Sequence, residues 1–474
     1  VSLRKTWQSV FPSMITYIHI NGFKSFRNFE MYFAPLTVIA GINAAGKSNL
    51  FDALSLLSSL ASDASLYKAL TSQRGELDEL FTLYDNGERS KEISFTVEML
   101  VNPSVTDEWG QSENLTYTRL RYALTLRKTG VDSIEIAHES LTPIHKTNDV
   151  WADYIPSKTS SFWRPTLKSI RKKPFLSVCG NDEDDSMTVN IYESSNAQET
   201  LKTKSVAKTF LSRFDKTDHP HLLAARQEMM SWRFLQLNPS DLRLPSYKSD
   251  SKDELDANGR HMASTLVRLK KEDEYNLVVI SRLIRKFLPD FVEIDVKEEA
   301  DSRRFTIYLT DKRGRTYSSR VLSEGTLRII ALCILAVDNH HSGLLCFEEP
   351  ENGVHTSRLE TMAKLMEQLS SDFKNTDFRL RQVIVNTHSP KFVEEIFKLR
   401  NKLSLVVLTR RVTSVINEGP LKTVMQITRM TPIVSDGKKV FPLSDQPSIQ
   451  ELNLNRQDMR HYLNGISIDD LLNQ

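Results

Sequence analysis

The spacing of apolar positions divides the chain into three stretches. In the first, Tyr17 to Phe33 alternates like the two strands of a hairpin, with Asn21-Gly22 and Arg27-Asn28 as turn residues. Leu36 to Ala40 reads as a short buried strand, and a helix starts near Lys47 with Leu50, Ala53, Leu54 and Leu57 on one face. Ile93–Leu100, Tyr117–Leu126 and Ile134–Ser140 alternate as antiparallel strands. The second stretch opens with loop-like text from Val150 to Asp185, carrying Pro156, Pro165, Pro174 and many serines. Helical spacing follows over Leu201–Phe214, His221–Leu235 and Glu254–Phe287, the last with Met262, Leu266 and Leu269 aligned. Strands return at Val292–Val296 and Arg304–Leu309. The third stretch alternates regularly: helix from Glu324, strand Leu344–Phe347, helix from His355, strand Gln382–Asn386, helix from Pro390, strand Leu403–Leu408. Buried strands interleaved with helices predict a parallel α/β sheet.

Composition narrows this picture only a little. The 474 residues are 40% hydrophobic, ample for a sizeable core. Lys and Arg number 62 against 60 Asp and Glu, so a nucleic-acid surface would have to be a local patch. Arg171-Lys172-Lys173, Lys270-Lys271, Arg303-Arg304 and Arg410-Arg411 are such local clusters, although runs of this kind are commonly solvated faces. Cys179, Cys333 and Cys346 are scattered without a CxxC pair, which excludes a disulfide framework and fits a reducing cytoplasm. The longest apolar run, Ile329 to Val337, is about half of a membrane span. Residues 1–13 lack the apolar core of a signal peptide and read as a leader or upstream start.

Four motifs carry candidate chemistry. Gly41-Ile42-Asn43-Ala44-Ala45-Gly46-Lys47-Ser48 is a full GxxxxGKS between a strand and a helix. Backbone N–H groups of such a loop, with Asn49 in the following turn, cradle phosphates; Lys47 reaches the β- and γ-phosphates and Ser48 holds Mg²⁺. Leu344 to Phe347 delivers Glu348 and Glu349 at a strand end, where Glu348 would face the metal and Glu349 would polarise a water. Leu322-Ser323-Glu324-Gly325 opens an apolar helix and suits an anion, though Ser323 alone is also an ordinary N-cap. Val383 to Ser389 is a buried strand ending in His388, which taken singly reads as structural.

The order of these four motifs resembles an ABC-type head of the family joining structural-maintenance-of-chromosomes (SMC) proteins, RecF repair ATPases and overcoming-lysogenization-defect (OLD) ATPases. Ile20-Asn21-Gly22-Phe23-Lys24-Ser25-Phe26 looks like its opening strand, and Glu349-Pro350-Glu351-Asn352-Gly353-Val354-His355 like the stretch after its acidic strand. The resemblance covers about Met14–Leu60 and Val292–Leu408. It implies that Ser323 and Gly325 contact the γ-phosphate held by a second protomer, and that His388 senses it. Gln73 is the candidate for the family's metal-contacting glutamine. Two features depart from the pattern. Glu348 stands where most relatives have Asp, and the insertion between Lys47 and Ser323 is too broken by prolines and strands for a long coiled coil.

The expectation is an α/β ABC-type P-loop head with a parallel sheet core and an antiparallel β subdomain, interrupted by a mixed α+β insertion. The divisions are 1–13 leader, 14–145 first half of the head, 146–290 inserted lobe, 291–410 second half and 411–474 tail. The function expected is ATP hydrolysis with Mg²⁺ in a homodimer or higher homo-oligomer closed through its ATP sites. No nuclease constellation accompanies it: Asp182-Glu183-Asp184-Asp185 reads as a solvated loop, and Glu418-Gly419 is followed by no Asp-x-Asp pair. A head without an effector implies a separately encoded partner. Stand-alone ATPases of this size resemble those of anti-phage defence systems of the Septu and PARIS types. The alternatives are a RecF-like clamp binding DNA directly, and a scaffold that binds ATP without hydrolysing it.

Overall fold

Strands buried on both faces form the centre of the molecule. The computed structural model describes residues 13–130, 133–152, 171, 173–181, 186–192, 199–203, 206–248, 253–299, 303–371, 381–399, 404–418, 421–433, 459 and 462–463. Asp182–Asp185, Lys172, Pro156, Pro165 and most of 434–474 lie outside the described residues. The central sheet runs Arg233–Leu235, Gly343–Glu348, Arg381–Thr387, Leu36–Ala40, Ser404–Glu418 and Leu421–Pro432. Its neighbours are parallel except for the last, which returns antiparallel as a hairpin.

The apolar runs Leu344–Phe347, Val383–Val385 and Leu405–Leu408 in these strands follow from burial on two sides. Successive side chains point to opposite faces, so Ile39, Leu344, Cys346, Ile384 and Val407 join one core. Val38, Leu345, Phe347, Val385 and Leu408 join the other. The first core is closed by the helix Lys47–Ala61 and an eight-stranded antiparallel sheet that includes Met14–Asn21, Glu92–Leu100, Arg119–Lys128 and Ile134–Pro143. The second is closed by the helices Met262–Glu272, Tyr275–Phe287, Glu324–Val337, Leu359–Leu369 and Pro390–Lys398. A small antiparallel sheet centred on Phe291–Glu299 and Arg304–Asp311 flanks these helices.

Parallel registers put the functional strand ends on one edge. Ala40 pairs with Thr387, and Glu348 with Asn386, so the loops after all three strands open side by side. Carboxyl ends of parallel strands are where such sheets place ligands.

The structure corrects several expected elements. The span 201–214 is not a helix: Glu199–Thr203 is an edge strand of the antiparallel sheet, and only Leu211–Arg213 makes a turn. Tertiary bonds decide this turn, because the buried Glu139 carboxylate accepts the Phe210 and Leu211 amides at 2.8 Å each. The helix expected to reach Leu235 stops at Met230, and Arg233–Leu235 joins the sheet beside Leu345–Phe347. The long helix expected over Glu254–Phe287 is two helices. Asp273 between them is extended, and its carboxylate accepts the Tyr275 amide at 2.9 Å. Leu176–Asn181, within the expected loop text, is a strand. The strand expected at Leu403–Leu408 runs on to Glu418, passing unbroken through residue 410. All three cysteines are free.

Candidate functional site

The loop after Leu36–Ala40 can only turn as it does with glycine at its two ends. Gly41 has φ 154, and a Cβ there would lie 2.8 Å from the Thr409 carbonyl oxygen. Gly46 caps the helix with φ 95, and a Cβ would lie 2.1 Å from the Thr428 hydroxyl. Ala44, with φ 63, holds a left-handed conformation at a cost of about 1–2 kcal/mol. Buttresses come from distant segments: Thr428 Oγ1 donates to the Ala45 carbonyl at 3.1 Å and lies 2.7 Å from Ser25 Oγ. Asn49 Nδ2 donates to Ser25 Oγ at 2.8 Å. Ile42, Asn43 and Ala44 are exposed at the loop crest.

Lys47 is buried, and its ammonium donates to the carbonyls of Gly41 at 2.7 Å and Ile42 at 2.8 Å. Burial pushes its pKa below the ordinary lysine value, opposed by the charges of Glu349, Glu348 and Glu351. An anion entering the loop would therefore meet a cation already desolvated and held in place. Ser48 Oγ donates to Glu348 Oε1 at 2.5 Å, and Asn386 Nδ2 reaches both, at 3.3 and 3.4 Å. The extra methylene of Glu348, relative to Asp, still lets its carboxylate touch Ser48.

Glu349 follows with φ 50, its amide bonded to the Asn386 carbonyl at 2.8 Å. His388 Nδ1 lies 2.6 Å from Glu349 Oε1, and Asn352 Nδ2 donates to Glu349 Oε2 at 2.8 Å. Behind this pair, the Thr387 hydroxyl donates to Glu351 Oε1, and burial raises the Glu351 pKa above the usual carboxylate value. Glu349 and His388 are both partly open to solvent.

Gln73 does not join this group. It lies just past the short helix Leu66–Thr71 and its cap Ser72, and its side-chain amide donates to the Ala69 carbonyl at 3.3 Å. A different glutamine does: Gln236, just past the edge strand Arg233–Leu235, donates Nε2 to Glu348 Oε2 at 3.1 Å. Sequence reasoning missed it because its segment carried helical spacing, which hid a strand ending beside Glu348. Arg74, also missed, donates to Asp52 at 2.8 and 3.0 Å and to the Ser48 carbonyl at 3.4 Å.

Ser323 caps the helix Glu324–Val337, accepting the Thr326 amide at 3.3 Å, and it faces solvent. Gly325 is buried for a packing reason, since a Cβ there would lie 2.1 Å from the Gly353 carbonyl oxygen. Neither residue touches the Lys47 loop through any hydrogen bond among the described residues; they lie across the loop that follows Glu349.

Two clefts flank the helix that starts at Lys47. One of about 380 Å³ is lined by Gln236, Arg328, Glu348, Glu349, Asn352 and Arg74. The other, about 640 Å³, is lined by Lys24, Ser25, Asn49, Arg89 and Arg411, with Arg74 bordering both. Hard oxygen donors at Ser48 and Glu348, with an amide at Gln236, suit a small divalent cation that keeps waters and phosphate oxygens in its shell. The glycine-lined turn around Lys47 suits a phosphate. Both groups fit the residues present.

A family model described as an AAA ATPase domain matches residues 14–393. No curated protein matches the chain. Similar solved structures include an Smc head bound to the C-terminal winged-helix domain of ScpA. It is 11% identical with a TM-score of 0.47, and the match covers 88% of this chain and 98% of that one. The SMC head domain from Thermotoga maritima is 13% identical with a TM-score of 0.39, covering 89% and 100%. An Smc head with an extended coiled coil, bound to the C-terminal domain of ScpA derived from Pyrococcus furiosus, is 10% identical. Its TM-score is 0.46, covering 89% and 96%.

Proposed function

The chain belongs to the AAA ATPase domain family, and from that premise we propose that it binds ATP with Mg²⁺ and hydrolyses it to drive a switch. One observation carries the reading: three strand ends bring the Lys47 loop, the Ser48–Glu348 contact and the Glu349–His388 pair to one edge of the sheet. Lys47 and the loop amides would bind the phosphates. Ser48 and Glu348 would hold Mg²⁺, which supplies charge neutralisation at the phosphates when bound. Glu349 is the general base: Asn352 and His388 orient its carboxylate, and it accepts the proton of the attacking water. The wider cleft beside Asn49 offers space for the nucleoside.

Ser323 is exposed, and no hydrogen bond among the described residues joins it or the buried Gly325 to their own Lys47 loop, which supports a role for Ser323 on the nucleotide of a second copy. Two heads closing on two nucleotides would then form the switch. Its output would be a separately encoded effector, a nuclease in an anti-phage defence system. The test is direct. Glu349→Gln keeps shape but removes the base, so ATP should still bind while turnover falls by roughly 10²-fold or more. Lys47→Ala should abolish binding itself. Parent-level hydrolysis by Glu349→Gln sinks the assignment.

A further inference from the structure

We infer that Arg328 is a positioning residue that sets the outer oxygens of both acids at once. It lies in the first turns of the helix Glu324–Val337, on the wall of the smaller cleft. Its Nε donates to the Leu237 carbonyl at 3.3 Å, and its Nη1 to the Asn352 carbonyl at 3.2 Å. Each carbonyl belongs to a loop that grips one acid. Gln236, next to Leu237, donates to Glu348 Oε2 at 3.1 Å. Asn352 itself donates its side-chain amide to Glu349 Oε2 at 2.8 Å.

The inner oxygens are held independently. Glu348 Oε1 takes Ser48 and Asn386, and Glu349 Oε1 takes His388. Strand neighbours thus fix one oxygen of each acid, and the orientation of the other depends on two loops that share a single guanidinium. A planar fork can serve two carbonyls in fixed directions; an ammonium is a point donor on a flexible stem. The seat of the helix is also fixed, because Gly325 packs so closely on Gly353 that no side chain fits between them. Arg328 touches neither acid. It acts on them through Gln236 and Asn352.

The inference rests on the reading that Glu348 and Glu349 serve ATP hydrolysis, and the experiment separates the two. In Arg328→Gln, turnover should fall about tenfold while ATP affinity stays within about threefold, the signature of a lost orienting contact. The Mg²⁺ concentration for half-maximal turnover should rise several-fold, and Arg328→Lys should restore turnover only in part. On a Gln236→Ala/Asn352→Ala background, adding Arg328→Gln should change turnover less than about twofold, because coupled residues are non-additive. Fold loss would instead multiply. Losses that multiply, or full rescue by lysine, overturn the inference. Amide hydrogen exchange over 236–238 and 350–353 needs no turnover: it should quicken in Arg328→Gln, and unchanged exchange overturns the inference even if the protein proves unable to hydrolyse ATP. A parent protein without hydrolysis sinks the functional reading instead.

Discussion

At the scale of single residues, burial rather than sequence neighbours sets the chemistry. Lys47 is a cation taken out of water and tied to two carbonyls, so a phosphate replaces weak partners with a strong one. Two carboxyls outside the candidate site show the same effect. Burial lifts Glu139 to about 7, against the amides of Leu211 and Phe210 and the Tyr122 hydroxyl. It lifts Glu228 to about 7, against Ser13 and Trp232. A raised folded-state value means the folded protein keeps a proton that the unfolded chain releases near pH 4.5. Stability from these groups is therefore fully present below about pH 4.5 and is lost as the pH rises to about 7, then stays level. The slope is on the order of 1.4 kcal/mol per pH unit for each group. Glu228→Gln keeps an acceptor for the Trp232 indole and removes the proton, so its urea midpoint should fall less between pH 5 and pH 7 than the parent's. An unchanged slope would show that Glu228 does not hold its proton.

At the scale of elements, close backbone approaches decide where helices begin. The helix Glu324–Val337 starts against the loop after Glu349, with Gly325 facing Gly353. Gly325→Ala puts a methyl where a carbonyl oxygen stands, and one of the two segments must move. Because Asn352 precedes Gly353 and holds Glu349, the shift should reach the base: turnover should drop at least tenfold, with a melting-temperature loss of a few degrees. Parent-like turnover from Gly325→Ala would show that the loop yields without disturbing Glu349. Gly46 makes the same point for the phosphate loop, where Thr428 from the final hairpin fills the space beside the helix cap. That hairpin belongs to the central sheet through Ser404–Leu408.

At the scale of the whole molecule, no hydrogen bond among the described residues joins the exposed Ser323 cap to the Lys47 loop, and in the proposed dimer a second copy would bring them together. Ser323→Arg sets a long cation on that face without touching the phosphate loop. With ATP, Glu349→Gln should associate in light scattering, and the same protein carrying Ser323→Arg should remain monomeric while still binding nucleotide. Equal association would assign Ser323 to its helix alone, as the Thr326 contact already allows. The effector reading has its own measurement. Pull-downs from the native host with Glu349→Gln, with and without ATP, should recover a partner whose retention depends on nucleotide. The chain alone should show no nuclease activity with Mg²⁺ or Mn²⁺. Metal-dependent DNA cleavage by the isolated chain would overturn that division of labour. Among the described residues no helix is long and apolar enough to cross a membrane.

The sequence by itself determined the strands and turns whose residues answer to local rules. Leu36–Ala40 is apolar but for Thr37 and Arg381–Thr387 is apolar over Val383–Val385, since both faces are covered, and the glycines at 41 and 46 mark backbone that side chains would block. Motif order was legible for the same reason: each motif is a strand end or helix start complete within eight residues. What only the tertiary structure decided depends on partners far away in the chain. Gln236 reaches Glu348 because Arg233–Leu235 pairs with Leu345–Phe347, more than a hundred residues on, and helical spacing concealed that strand. Gln73 instead donates back to the Ala69 carbonyl of the preceding helix. The Glu139 cap on 210–211 and the Arg328 fork are side-chain bonds to backbone groups distant in the chain, while the break at Asp273 rests on a local bond to Tyr275. Periodicity records which face is apolar, but it carries no trace of where a polar side chain will find its partner.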